Sequence, residues 1–173
     1  DFSNNNLDKT LIRVDNPVYA YIQILELFDH PKKYNTGIHP SAIISEKSKI
    51  GNNVSIGPYV VIDENTTIGD YTMIGPSCHI RENCKIGNNV TINSNVTIYD
   101  KVFIGNDVII ESGTVIGSQG FGLTFHNGEN HIIPHKGNVI IEDKVWLGSN
   151  CSIDRGTIND TIIGYGTKMD NLI

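Results

Sequence analysis

Three of the six histidines, His126, His131 and His135, fall within one short stretch of the chain. Clustered imidazoles raise the question of a metal centre or a general base. A catalytic zinc needs three converging ligands, and one loop rarely supplies them all. Solvent-exposed loop histidines and no metal site are therefore expected. The three cysteines, Cys78, Cys84 and Cys151, form no CxxC pair, so neither a zinc ribbon nor a disulfide framework is expected. Gly117-Ser118-Gln119-Gly120-Phe121-Gly122 has the spacing of a phosphate-cradling turn, but no strand-to-helix context follows it. An irregular loop is the better reading. Asp154 and Arg155 are adjacent opposite charges, read as a local salt bridge. Asp170 and Asn171 form a polar turn after Met169.

The elements that must position these residues follow from one repeat. Isoleucine stands at 38, 44, 50, 56, 62, 68, 74, 80, 86, 92, 98, 104, 110 and 116, every sixth place. Two residues earlier runs a ladder of small or β-branched residues, from Ala42 and Ser48 through Cys78, Cys84 and Val90 to Thr114. Residues two apart in a strand face the same way, so each hexad offers one small residue and one Ile to a common interior. Gly often follows the Ile (51, 57, 69, 75, 87, 105, 117) and reads as a turn residue with unusual backbone angles. A period of six fits neither a helix face nor a heptad. It predicts an all-β fold, a parallel β-solenoid in which three hexads close a coil of about 18 residues. Cys78, Cys84 and Cys151 then become buried, reduced core residues. His39 and His79 fall on different faces. The Asn-x-Ser/Thr matches at Asn53, Asn65, Asn89, Asn95 and Asn159 are by-products of Asn-rich turns.

The remainder departs from the repeat. Asn16-Pro17 looks like a helix start, Val18 to Phe28 a short apolar helix, and Pro31-Lys32-Lys33 its end. Leu11 to Val14 could be a last strand of a preceding unit. Residues 117–138 read as a loop thrown outward, the kind of insertion that carries binding function in solenoids. The ladder resumes at Ile141, Leu147 and Ile153, slips near Asp154-Arg155-Gly156, and recovers at Ile163 and Met169. The chain stops inside a repeat, so a continuation beyond Ile173 is expected. The 28 Ile against 7 Leu argue against a helix bundle. A net charge of −6 disfavours nucleic acid and anionic membrane as main partners. No apolar run reaches the roughly 18–20 residues of a membrane span. Cysteine usage points to a reducing compartment, with the cytoplasm as the expected location.

The hexads resemble the left-handed β-helix acyltransferases built from hexapeptide repeats. Several segments are similar to one family among them, the UDP-3-O-(3-hydroxyacyl)glucosamine N-acyltransferases of lipid A synthesis. These are Asn16-Pro17 with the helix ending at Leu27-Phe28, Gly37-Ile38-His39-Pro40-Ser41-Ala42, the Gly117–Gly122 loop with Ile132-Ile133-Pro134, Ile153-Asp154-Arg155-Gly156-Thr157, Asp160-Thr161-Ile162-Ile163-Gly164, and Asp170-Asn171. The resemblance implies left-handed coils over 38–173, truncated at their C-terminal end. Residues 1–37 become the remnant of an N-terminal α/β domain that binds the uridine of a nucleotide sugar, plus a linker helix.

The resemblance also implies transfer of a 3-hydroxyacyl chain from acyl carrier protein to the 2-amino group of a UDP-3-O-acylglucosamine, in a homotrimer. No cofactor is needed beyond the carrier's phosphopantetheine arm. The general-base histidine would lie just past Ile173, so no catalytic residue is expected here, and the 173 residues alone should be inactive. Asp170, Asn171, Phe121 and Gly122 are the implied substrate-binding positions. Arg155 and Lys168, with Lys136, are possible contacts for the acidic carrier protein. The alternatives are another hexapeptide-repeat acyl- or acetyltransferase on a nucleotide sugar, and a γ-type carbonic anhydrase. The Ile153–Thr157 and Asp160–Gly164 segments favour the first reading.

Overall fold

The isoleucines of the ladder stack on one another. In the computed structural model, which describes residues 12–28 and 36–173, Ile56, Ile74 and Ile92 pair in register on successive coils, 18 residues apart. The same offset relates Ile62 to Ile80 and Ile68 to Ile86. Strands of two to four residues form three parallel sheets, the faces of a solenoid of about seven turns consistent with the left-handed β-helix of hexapeptide repeats. The first face holds seven strands, from Gly37–Ile38 to Lys168–Met169. The second runs from Ile43–Ile44 to Ser152–Asp154, and the third from Lys49–Ile50 to Thr161–Ile163.

The core is the two predicted ladders. Every ladder Ile from 56 to 116 is at most 3% exposed. Each buries roughly 1.5–3 kcal/mol worth of apolar surface. The small-residue ladder also makes hydrogen bonds. Thr66 Oγ1 donates to the Arg81 carbonyl (2.7 Å) and accepts from the Cys84 N–H (3.1 Å). Thr72 and Thr114 repeat the pattern. A hydroxyl that links two coils is satisfied at full burial, which explains Thr among the Val and Cys of this ladder.

The thiols behave likewise. Cys78 Sγ donates to the Asn93 carbonyl at 2.9 Å and Cys84 Sγ to the Tyr99 carbonyl at 3.0 Å. Burial pushes both thiols up to about 11. All three cysteines are free and buried. The thiolate is the nucleophile, so an aromatic disulfide reagent at neutral pH should titrate none of the three thiols quickly in native protein. All three should react in denaturant. Fast native labelling would contradict this core.

Two expectations about turns are corrected. The left-handed backbone does not fall on the glycines after Ile. It falls two places later, at Asn53, Tyr59, Asn65, Tyr71, Ser77, Asn83, Asn89 and Asn95, with φ between 54° and 61°. The glycines are there for close approach: a Cβ on Gly69 would sit 2.5 Å from the Gly87 backbone of the next coil. Gly117 alone among them has positive φ (89°), and its Cβ would also strike Val102. The predicted loop is also more ordered than expected. Leu123–His126 and Glu129–Ile132 form an antiparallel hairpin closed by Asn127-Gly128, both at positive φ as a tight hairpin turn requires. Beyond this insertion, coil partners lie 37 residues apart, as in Ile110 and Leu147, and then 22 apart, as in Leu147 and Met169.

Residues 1–33 and 34–173 form two separate compact units. In the first, the helix spans Pro17–Phe28, and Asn16 Oδ1 accepts the Tyr19 N–H at 3.0 Å, the expected cap. It buries no residue. Ile12 to Val14 form no strand, a correction to the expected one; Leu11 and Pro31-Lys32-Lys33 lie outside the described residues. Among the described residues, no helix is long and apolar enough to cross a membrane.

Candidate active site

Arg155 is the most heavily engaged charge on the solenoid. Its Nε donates to the Gly117 carbonyl at 2.7 Å, and Nη2 donates to the Asp100 carbonyl and to Asp100 Oδ1, each at 3.1 Å. Its own backbone N–H donates to the Ser118 carbonyl. The guanidinium thus ties the root of the hairpin to a corner of the preceding coil. Burial pushes the Asp100 carboxyl up, but the hydrogen bond and charge of Arg155, its own backbone and Arg81 outweigh that and hold it below the usual carboxylate range. The expected Asp154–Arg155 pair does not form. Adjacent residues in a strand point to opposite sides, and Asp154 instead accepts a hydrogen bond from Ser118 Oγ. With its side chain 12% exposed, Arg155 offers little to a carrier protein.

Gly156 is as constrained as its neighbour. A Cβ there, or on Gly137, would run into the Asn159 carbonyl oxygen. The Gly137 N–H donates to the Gly156 carbonyl and the Lys136 N–H to the Thr157 carbonyl. The returning limb of the insertion is therefore stitched to the slipped coil over 155–159.

Asp170 and Asn171 lie at another corner, after the first-face strand Lys168–Met169. Asn171 Oδ1 accepts the Ser149 N–H at 2.7 Å, and Asp170 Oδ1 accepts the Asn171 N–H at 2.8 Å. Both stay exposed. They border a surface groove of about 470 Å³ together with Glu111, Trp146, Ser149 and Lys168. Lys168 Nζ donates to the Lys144 carbonyl at 2.5 Å. Trp146, the one tryptophan, is missing from the sequence-based candidates, although an outward Trp between ladder residues Val145 and Leu147 was a readable signal.

Phe121 and Gly122 stand at the hairpin root, between the second and third faces. Phe121 is 94% exposed, and Gly122 packs under His135 and Ile133. Neither Phe121 nor Gly122 lines the groove bordered by Asp170 and Asn171, so one chain places the two pairs at different corners. His126 and His131 have ring centroids 6.3 Å apart, and His135 Nδ1 faces the Ile133 carbonyl at 2.9 Å. Among the described residues no three His, Cys, Asp or Glu side chains are grouped to hold a metal. His79 Nε2 lies 2.9 Å from Asp63 Oδ2 on the second face, away from His39 on the first.

Residues 65–100 match the bacterial transferase hexapeptide family (six repeats). Hexapeptide repeats of that transferase type are thus present in the middle of the solenoid. The chain is 45% identical over 165 residues to UDP-3-O-acylglucosamine N-acyltransferase 1 of Legionella pneumophila (strain Paris), and 54% identical over 165 residues to UDP-3-O-acylglucosamine N-acyltransferase of Methylacidiphilum infernorum. Each alignment covers 95% of this chain and 47% of the relative, so the chain spans about half the length of the relatives it matches. Among solved structures, the acetyltransferase domain of PglB from Neisseria gonorrhoeae FA1090 superposes with a TM-score of 0.58 at 16% identity, covering 88% of this chain and 62% of that one. That likeness concerns the fold.

Proposed function

We propose that this chain is the repeat core of an N-acyltransferase that moves a 3-hydroxyacyl group from acyl carrier protein to the 2-amino group of a UDP-3-O-acylglucosamine, in lipid A synthesis. The observation that carries the reading is the 45–54% identity, along 95% of the chain, to proteins bearing the N-acyltransferase name. The reaction needs a neutral amine, because an ammonium has no lone pair, and hence a base that removes its proton. The described groove at Asp170 and Asn171 has no histidine in its lining. On this reading the base is a histidine outside these residues, as the family resemblance implies, and the 173-residue chain alone should not turn over. Asp170 and Asn171 orient the donor arm or that base, Phe121 and Gly122 wall the acyl group, and Lys168 meets the acidic carrier. A homotrimer in the cytoplasm brings the two corners of neighbouring chains together, which fits their separation within one chain.

The position of acylation is the sharpest test. The complete reading frame that contains this chain, given 3-hydroxyacyl carrier protein, should acylate a UDP-3-O-acylglucosamine with a free 2-amino group. It should give no product when that amine is already acetylated. Product from the blocked acceptor would place the new acyl group on oxygen and overturn the N-acyl assignment.

A further inference from the structure

The coils protect their asparagines from self-cleavage of the side-chain amide. Asn65, Asn83, Asn89 and Asn150 all adopt left-handed φ, between 54° and 61°. In each case the next N–H is bound: Thr66 N–H to Ser48 Oγ, Cys84 N–H to Thr66 Oγ1, Val90 N–H to Thr72 Oγ1 and Cys151 N–H to Thr114 Oγ1, at 3.1–3.2 Å. Those nitrogens are the ones that would attack the side-chain carbonyl, and a hydrogen-bonded amide in a packed coil attacks only after local opening. Asn53 and Asn95 precede the buried Val54 and Val96, whose branched side chains crowd the same approach.

Asn127 shares the left-handed φ (53°) but lacks the bound neighbouring amide. It is followed by Gly128, both are exposed, and a Cβ on Gly128 would meet nothing within 4 Å. The hairpin closes with the pair His126 and Glu129, which leaves the turn residues outside the ladder. Among the described residues neither the Asn127 side chain nor the Gly128 N–H has a hydrogen-bond partner. Glycine also lets the tip rotate into the attacking geometry without a side-chain clash.

We propose that Asn127 is a site of spontaneous deamidation at the hairpin tip. The Gly128 nitrogen, losing its proton, forms a bond to the Asn127 side-chain carbonyl carbon. The side-chain nitrogen takes up that proton and leaves as ammonia. Water then opens the five-membered succinimide on either side, giving aspartate or isoaspartate. No reactant other than water is required. The isoaspartate form adds one methylene to the main chain at a two-residue turn and sets a carboxylate beside Glu129. Both changes oppose the tight turn that holds Leu123–His126 against Glu129–Ile132.

The test is peptide mapping after incubation in mildly alkaline buffer, native and denatured samples side by side. The amide-to-acid mass gain at Asn127 should proceed at similar rates in both. At Asn65, Asn83, Asn89 and Asn150 it should be slower in native protein by roughly tenfold or more, because those coils must open first. Isoaspartate at Asn127 should accompany faster amide exchange in the hairpin, with the coils unchanged. Asn127→Gly keeps a turn-compatible residue and should abolish both effects. Native protection at Asn127 equal to that of the coil asparagines would overturn the proposal, as would hairpin loosening that persists in Asn127→Gly.

Discussion

Ile74→Asp unfolds the middle of the solenoid. Ile74 is 1% exposed and stacks between Ile56 and Ile92. The substitution removes roughly 1.5–3 kcal/mol of apolar burial. It also places a carboxyl where no donor faces it, which costs several kcal/mol more whether the group is charged or neutral. A loss of about 4–6 kcal/mol is a large part of the roughly 5–15 kcal/mol that holds an ordinary domain together. At roughly 2–4 °C per kcal/mol for a chain of this size, Tm should fall by about 10–20 °C. Because each coil contacts only its neighbours, amide exchange should rise first over the coils that contain Ile56, Ile74 and Ile92. Ile74→Val keeps the shape and should cost only about 0.5–1.5 kcal/mol. An unchanged Tm for Ile74→Asp would refute the register in which every sixth residue points inward.

Arg155→Met should be nearly as damaging, through a different cause. It leaves the Asp100 carboxylate, the Asp100 carbonyl and the Gly117 carbonyl without the donors that now satisfy them. Removing one member of a largely buried pair typically costs about 3–5 kcal/mol. Arg155→Lys should recover only part, because an ammonium cannot fork across three acceptors. The pair also predicts a pH dependence. The folded Asp100 carboxyl is held below its ordinary value, and the unfolded chain titrates near about 3.9. The unfolded state therefore binds more protons as pH falls through this window. The stability from the pair is fully present above about pH 4 and is lost as pH drops towards the lowered folded value. In Arg155→Met that acid-side loss should flatten. The hairpin, released at its root, should become more sensitive to a protease that cuts after Phe121 and Phe125, both exposed. An acid limb identical to the wild type would contradict the role given to Arg155.

The legible part of the fold was the part with a period. An interior ladder repeats every 18 residues in space because three hexads close a coil, so Ile38 to Ile116 announced their own partners. The slips were harder to read. Asp154-Arg155 looked like a pair because the residues are neighbours in sequence. Arg155 in fact reaches Asp100, 55 residues earlier and two coils away, a distance that no local spacing encodes. The glycines after Ile were legible as special but for the wrong reason. Their lack of a Cβ serves packing between coils, and the left-handed turn falls two places later, often on Asn, which tolerates it through its short polar side chain, but also on Tyr59, Tyr71 and Ser77. The hairpin carried its own signal in Asn127-Gly128 flanked by Phe125, His126 and Glu129, which the presence of many glycines and histidines obscured.

The candidate site divides along the same line. Asp170 and Asn171 were found by motif, and they do border a groove. Trp146 and Glu111, which line the same groove, come from the repeat itself; Trp146 was readable as an outward residue between Val145 and Leu147, and Glu111 carries no such mark. Phe121 and Gly122 lie at a different corner, and the separation is a property of the coil, since consecutive faces point away from one another.

The most direct measurement of the proposed activity is acyl transfer followed by mass spectrometry, with 3-hydroxyacyl carrier protein as donor and UDP-3-O-acylglucosamine as acceptor. The complete reading frame should yield the N-acylated sugar, and the 173-residue chain alone should yield none. Turnover by the isolated chain would contradict the assignment of the base to residues outside it. Failure of the complete protein with this donor, alongside activity with acetyl-coenzyme A, would contradict the N-(3-hydroxyacyl) transfer itself.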